Sequence, residues 1–173
     1  MAPVLRSLQG VLAACLRTVL LAVLLVIAPI VFRTAPALAA MDYAKQALIG
    51  ADFHGADLRE TTFNLTNLRG ADFEGADLRG ASLFGAKLQD ANLRGADLRG
   101  ATLDSAVFEG TDLRDAVLAD AFAFNTKFRQ VKADGADFSN VSLRADALAA
   151  LCAAVEGINP TTGLATRDTL GCP

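Results

Sequence analysis

The 173-residue sequence has no tryptophan, a single histidine and only three cysteines. Zinc sites are built largely from cysteine and histidine ligands, often in CxxC spacing, and that spacing is absent. The one histidine, His54, has no serine or cysteine partner at the spacing of a hydrolytic motif. We therefore predict neither a metal site nor catalytic residues.

Other motifs that would carry chemistry are also missing. The glycine-containing stretch 80–87 lacks the G-K-[ST] ending of a phosphate-binding loop, and calcium-binding nonapeptide repeats are absent. A formal net charge of −3 does not favour a nucleic-acid-binding surface. We predict a protein that is not an enzyme, with no cofactor, no small-molecule substrate and no nucleic-acid partner.

Charge is scarce at the start of the chain, where the first 40 residues carry only Arg6, Arg17 and Arg33. Residues 19–27 are all apolar, and Ala37 and Ala39 are small residues of the kind a signal peptidase recognises. We predict a secretory signal over residues 1–39, cleaved after Ala39. The alternative is an uncleaved membrane anchor, although the apolar stretch is shorter than the roughly 20 residues of a spanning helix.

Removal of this segment would change the net charge from −3 to −6 and leave two cysteines, Cys152 and Cys172. A cysteine pair in an exported chain predicts a disulfide bond. Closing a loop of about 20 residues would stabilise the tail by about 3 kcal/mol on the chain-entropy account.

A five-residue period runs without insertion through residues 51–145, in 19 consecutive blocks of the form A-D-L-R-G. Neither a helix nor a strand has that period. A solenoid does, because each block turns one corner of a coil and stacks on its neighbours. The middle residue, here called the centre, is leucine or phenylalanine except at Ala123 and Ala133. The residue two before it is alanine, threonine or valine, and we predict that both columns point into the core.

Glycine often stands two residues after a centre, where it tolerates backbone angles closed to other residues. These columns resemble those of the pentapeptide-repeat proteins. The resemblance implies an all-β solenoid, a right-handed quadrilateral β-helix with four pentapeptides to a coil. Residues 145–155 lose the five-residue period and are rich in alanine and leucine, so we also predict short helical caps. We assign residues 40–50 to an N-terminal cap, 51–145 to the β-helix and 146–173 to a C-terminal helical cap closed by the disulfide.

The C-terminal tail indicates which branch of the family the chain resembles. Its segment N-P-T-T-G-L-A-T-R-D-T-L-G-C, at residues 159–172, is similar to the tails of pentapeptide-repeat proteins of the thylakoid lumen in cyanobacteria and chloroplasts. A helical cap would also cover the unpaired edge of the last coil, which otherwise invites end-to-end aggregation. The resemblance implies export to the thylakoid lumen, with the periplasm as the alternative.

With four blocks to a coil, residues 20 apart stack, and on one side this aligns three aspartates with three arginines. We predict an exposed ion-pair ladder of Asp57, Arg59, Asp77, Arg79, Asp97 and Arg99. Each exposed pair is worth only about 0 to 1 kcal/mol. We interpret the ladder as a solvated face, because the interleaved acids oppose its use as an arginine stripe for an anionic partner.

Another side carries three outward phenylalanines, Phe84, Phe122 and Phe124. Apolar patches of this kind often mark contact sites, so they form a candidate interaction patch. The interpretation we favour is different: Ala123 is an undersized centre, and a local slip would turn Phe122 or Phe124 inward to fill the space.

These patterns predict a noncatalytic scaffold or protein-interaction module in an exported compartment, with an unknown protein partner. The first alternative is a pentapeptide protein that mimics duplex DNA and binds topoisomerases, which the export signal and the arginine ladder oppose. The second is a rod held at a membrane by an uncleaved signal segment, which would be its sole membrane contact.

Overall fold

The computed structural model describes residues 41–173. The predicted signal segment 1–39, with Ala37 and Ala39, lies outside the described residues and stays a prediction. Within residues 41–173, no helix combines the length and the apolar composition needed to cross a membrane.

Residues 41–140 form five stacked coils, each made of four pentapeptides. Parallel bridges join residues 20 apart, such as Asp52 to Asp72 and Asp57 to Asp77. Each bridge lies at the residue before a centre, whose own N–H donates to the next coil, as Phe53 N does to Asp72 O at 2.7 Å. The predicted repeat of four blocks to a coil is therefore the register of the solenoid.

A tight turn follows each centre. The centre's carbonyl accepts the N–H three residues later, as between Phe53 O and Ala56 N at 3.1 Å. The residue two after the centre has a positive φ throughout residues 41–140, Asn125 excepted. This is the pattern of a type II turn and explains why glycine recurs there.

Between turns each side has three extended residues, too few for long strands. The two strands assigned within residues 41–173 are β1 (Val107–Glu109) and β2 (Lys127–Arg129). They pair in parallel with Phe108 opposite Phe128. The other sides are joined by single bridges.

The two predicted inward columns form the core. From the second coil onwards the centres and the small residues before them are almost all buried. Threonine fits among the small residues because its hydroxyl donates to the carbonyl of a centre in the preceding coil, as Thr111 does to Leu88 O at 2.8 Å. Leucine and phenylalanine thus stack in four columns along the tube.

The prediction of an N-terminal helical cap at residues 40–50 is wrong. Residues 41–50 form two further pentapeptides with centres at Tyr43 and Leu48, bridged to the coil below them. The sequence concealed them because Met41 and Gln46 stand where the small residues belong. Tyr43 stacks on Phe63, with ring centroids 5.1 Å apart, so the core begins in this first coil.

The C-terminal cap contains two helices, α1 (Ala145–Cys152) and α2 (Thr166–Leu170), joined by a Cys152–Cys172 disulfide. Buried Leu151, Val155 and Leu170 pack against the core of the solenoid. The β-helix ends at residue 140, five residues earlier than predicted, because 141–144 make neither a turn nor a bridge.

Between α1 and α2 the chain stacks on the last coil. Gly135 N donates to Glu156 O at 2.9 Å, the bond that a sixth coil would otherwise accept. Gly157 lies so close to Gly135 that a Cβ on it would stand 3.0 Å from Gly135 N. Asn159, two residues further along, also holds this segment to the last coils. It is fully buried, and its side-chain amide donates to three backbone carbonyls.

Candidate functional site

Two sides of the solenoid contain the residues singled out above. The ladder side has its centres at Leu58, Leu78, Leu98, Leu118 and Phe138. The Phe side has its centres at Tyr43, Phe63, Leu83, Leu103 and Ala123. Because neighbours of an inward centre point outward, the residues flanking these centres form the two surfaces.

On the ladder side each aspartate of the first three coils is held by the arginine two residues later. Arg59 Nη2 lies 2.6 Å from Asp57 Oδ2, and Arg79 repeats the contact with Asp77 at the same distance. Ion pairs also link successive coils, since Arg59 Nε lies 3.6 Å from Asp77 Oδ2. Arg79 Nε similarly lies 3.7 Å from Asp97 Oδ2, and Arg99 bonds Asp97 in its own coil. The predicted alignment is thus present as a continuous exposed network.

The ladder lowers the pKa of two of its carboxyl groups, those of Asp57 and Asp77. Hydrogen bonding by the Arg59 side chain lowers the pKa of Asp57 to about 2, and Arg79 lowers the pKa of Asp77 in the same way. Because these pKa values lie below those of the unfolded chain, the contribution to stability is present above about pH 4. It is lost as the pH falls towards 2.

We expect Arg79→Gln to raise the pKa of Asp77 towards its ordinary value, because the main hydrogen bond to the carboxylate is removed. A carboxyl carbon NMR titration measures the pKa directly. The melting temperature at pH 7 should change little, because exposed pairs are screened by solvent. An unchanged Asp77 pKa would show that Arg79 does not occupy this position in solution.

The Phe side differs from the ladder side in having almost no charge. In coils two to five its outward positions carry a single charged residue, Asp104. Its exposed apolar residues are Leu65, Phe84, Phe122 and Phe124, with 53%, 45%, 64% and 55% of their surface accessible. Thr102 and Asp104 lie in the coil between Phe84 and the later pair.

The interpretation that Phe122 or Phe124 turns inward is wrong. A slip would break the backbone hydrogen bonds that join Phe122 to the preceding coil. Its N–H donates to Ala101 O at 2.9 Å, and its carbonyl accepts Leu103 N at 2.7 Å. The space left by Ala123 and Ala133 is instead taken by the other two centres of the coil. Phe128 and Phe138 meet edge to face across the tube, with ring centroids 6.2 Å apart.

At its C-terminal end the Phe side opens into an apolar cleft of about 480 Å³. Phe124 forms one wall, and Val141, Leu143 and Leu148 from the start of the cap form others. This cleft is not visible in the sequence, because it depends on where residues 141–144 leave the last coil. The exposed phenylalanines are therefore continuous with a concave apolar surface.

A second cluster went unnoticed in the sequence. His54, Asp72 and Glu74 each place a potential ligand atom within 4.8 Å of the others. They share no motif, and only the 20-residue stacking that puts His54 over Glu74 would have revealed them. We call these three residues the His54 cluster.

A sequence model of pentapeptide repeats matches residues 48–83 and 81–120. A crystal structure of a pentapeptide repeat protein of the Arabidopsis thaliana thylakoid lumen superimposes with a TM-score of 0.73 at 45% identity, covering 75% of this chain and 90% of that one. A pentapeptide repeat protein from Nostoc gives a TM-score of 0.50 at 31% identity, covering 60% of this chain and 84% of that one. The fold is that of a pentapeptide solenoid, and the chain belongs to the pentapeptide-repeat protein family.

Two of the relatives are proteins of the thylakoid lumen. Thylakoid lumenal 15 kDa protein 1 of Arabidopsis thaliana chloroplasts is 52% identical over 48 residues, which are 28% of this chain and 21% of that relative. The matched stretch therefore spans about a fifth of that relative's length. This chain is similar to pentapeptide-repeat proteins of the thylakoid lumen, as the predicted resemblance stated.

Proposed function

We propose that this chain is an exported, noncatalytic interaction module of a thylakoid-lumen type of compartment, and that it binds a protein partner through the Phe side. The observation that carries the proposal is the exposure of Phe84, Phe122 and Phe124 outside a core that is already filled. Apolar surface on a solenoid this rigid contributes nothing to packing of the fold. Such surfaces commonly mark contact sites.

The chemistry of the Phe side favours a protein over other partners. Apart from Asp104, its polar outward residues in coils two to five are uncharged side chains: Thr62, Asn64, Ser82 and Thr102. Nucleic acids and anionic lipid surfaces are bound through lysine and arginine, which coils two to five of this side lack. Aromatic residues with few charges are typical of the centre of a protein interface.

The shape of the Phe side indicates which kind of partner surface would fit it. The side extends about 15 Å from the second to the fifth coil, at about 4.8 Å per coil. It ends at the cleft beside Phe124, which is open enough to accept apolar side chains. We therefore expect a partner with a flat uncharged surface and one or two protruding apolar residues.

The compartment is inferred from the lumenal relatives and from the apolar leader of the sequence. A disulfide between Cys152 and Cys172 suits an oxidising environment outside the cytosol. Export would confine the partner to proteins of the same compartment.

We expect the double substitution Phe122→Ser/Phe124→Ser to abolish the complex with the partner while leaving the melting temperature nearly unchanged. Exposed side chains contribute little to folding, whereas aromatic anchors carry much of an interface's energy. The complex is measured by size-exclusion chromatography of the soluble lumenal or periplasmic fraction from cells expressing each variant. The melting temperature is measured on the purified proteins.

Ile49→Ser is the matched control, because Ile49 is 64% exposed on a different side. It should leave the complex intact. If the double variant retains the complex, or if Ile49→Ser disrupts it equally, the Phe side is not the binding surface. A large fall in melting temperature with the complex retained would restore a core role for the phenylalanines.

A further inference from the structure

We propose that the His54 cluster is a surface binding site for a divalent transition-metal ion, of which Zn²⁺ is the test case. The three ligands come from two coils: His54 belongs to the first, and Asp72 and Glu74 belong to the second. Their ligand atoms converge within 4.8 Å. A tetrahedral zinc ion holds its ligand atoms about 3.3 Å apart, which the exposed His54 and the half-buried Asp72 and Glu74 reach by small side-chain rotations.

The ligand types define the class of ion. One imidazole nitrogen with two carboxylate oxygens suits zinc and similar first-row ions, with water completing the coordination. Calcium and magnesium prefer sites made entirely of oxygen. The cluster is distinct from a plain group of acids because the chain's single histidine stands directly above Glu74 in the stack.

The two carboxylates are held in place by a neighbour that is not itself a ligand. Asn92 Nδ2 donates to Asp72 Oδ1 and to Glu74 Oε2, both at 3.0 Å. Asp72 Oδ1 also accepts the backbone N–H of Glu74 at 3.0 Å. These bonds position both carboxylates and leave Asp72 Oδ2 and Glu74 Oε1 for an ion. Such orienting bonds commonly set the affinity of metal sites.

The cluster also has negative charge that the described part of the chain does not neutralise. On the ladder side the residue two after each aspartate of the first three coils is an arginine, whereas after Asp52 it is His54 and after Asp72 it is Glu74. The next arginine along this stack, Arg94, pairs with Asp115 at 3.4 Å. Among the ion pairs of residues 41–173, none involves Asp72 or Glu74.

A bound ion would clamp the first coil to the second. The backbone there is joined by Phe53 N to Asp72 O at 2.7 Å and by Gly55 N to Glu74 O at 2.9 Å. The first coil has the least buried core, since Tyr43, Leu48 and Phe53 are only partly covered. The ion would slow opening of this coil by adding a cross-link beside those two bonds.

The experiment uses the untagged protein after treatment with a chelator, so that the chain's own histidine is the sole imidazole. Calorimetric titration with Zn²⁺ should give one site per chain. We expect His54→Gln and Glu74→Gln to weaken the affinity by about tenfold or more, and Asn92→Leu to weaken it by about 10- to 100-fold. Glu109→Gln, which removes an exposed acid on another side, is the matched control and should leave the affinity unchanged.

Two further readouts separate this site from general attraction to acids. Mn²⁺ should broaden the amide NMR signals of His54, Asp72 and Glu74 before those of other acidic residues. Zn²⁺ should slow hydrogen exchange at the N–H groups of Phe53 and Gly55. Equal affinity of the wild type and His54→Gln, or Mn²⁺ broadening spread evenly over the acids, would overturn the proposal.

Discussion

Leu98→Ala is expected to lower the free energy of unfolding by about 2 to 5 kcal/mol. Leu98 is fully buried in the third coil, with coils on both sides. Its backbone is fixed from two directions, because Leu98 N donates to Val117 O at 2.7 Å and its carbonyl accepts Ala101 N at 3.0 Å. The surrounding wall therefore cannot close over the deleted side chain, and a cavity remains.

The measurement is urea unfolding of the purified protein. Arg99→Gln is the matched control, because Arg99 follows Leu98 in the sequence but points outward into the ladder. It should change the free energy of unfolding far less. A loss below about 1 kcal/mol for Leu98→Ala would mean that the tube collapses to fill the space, contrary to a rigid solenoid.

Asn159→Ala is expected to destabilise the C-terminal cap by about 3 to 5 kcal/mol, since unpaired buried polar groups cost about 1 to 3 kcal/mol each. The Asn159 Nδ2 group donates to Gly135 O at 2.7 Å, Ala116 O at 3.1 Å and Asp115 O at 3.2 Å. Its Oδ1 accepts the N–H groups of Thr161 and Thr162, both at 2.9 Å. One side chain thus joins two coils to the turn before α2.

Urea unfolding gives the size of the effect, and limited proteolysis of residues 153–165 shows whether the cap opens. Asn159→Asp keeps the acceptor towards Thr161 and Thr162 but turns the donor into a buried carboxylate oxygen that faces backbone carbonyls, so it should destabilise the cap at least as much as Asn159→Ala. Asn140→Gly is the control and should have little effect, because glycine tolerates the positive φ of this exposed position, whose amide bonds Asp120. An Asn159→Ala protein as stable and protease-resistant as the wild type would exclude the anchoring role.

The regular part of the fold was predictable because every position in the repeat has one environment. The repeat position of a centre such as Leu98, or of a small residue such as Ala96, predicts that its side chain lies in the core. A glycine two residues after the centre predicts a turn. The 20-residue stacking also predicted the ladder from Asp57 onwards. The Cys152–Cys172 pairing followed from the expected compartment.

The structure differs from the prediction where tertiary contacts, and not the repeat position, decide the environment of a residue. Tyr43 continues the tube although Met41 breaks the small-residue column, because the ring stacks on Phe63. Phe122 stays outside although Ala123 leaves space, because two hydrogen bonds to the preceding coil, at Ala101 and Leu103, fix the register. Asn159 was noted in the sequence only as the first residue of the tail 159–172, because its buried contacts depend on where the chain returns to the last coil.

Neither the apolar cleft nor the His54 cluster could be predicted from local sequence motifs. The cleft is formed by residues that leave the repeat, and the cluster is formed by residues in different coils. Single-sequence motifs are local, whereas both surfaces are assembled by stacking. A search for chemistry at 20-residue separation would have found His54 and Glu74, but not the cleft.

The measurement that tests the central claim most directly is native mass spectrometry of the protein isolated from the soluble exported fraction of its own cells, with and without reductant. We predict a chain that begins at Ala40, is two protons lighter when oxidised, and is bound to a protein partner that the Phe122→Ser/Phe124→Ser variant loses. A full-length, reduced chain in the cytosol would contradict export and leave the topoisomerase-binding alternative as the one to test. A free monomer in the exported fraction would contradict the interaction module.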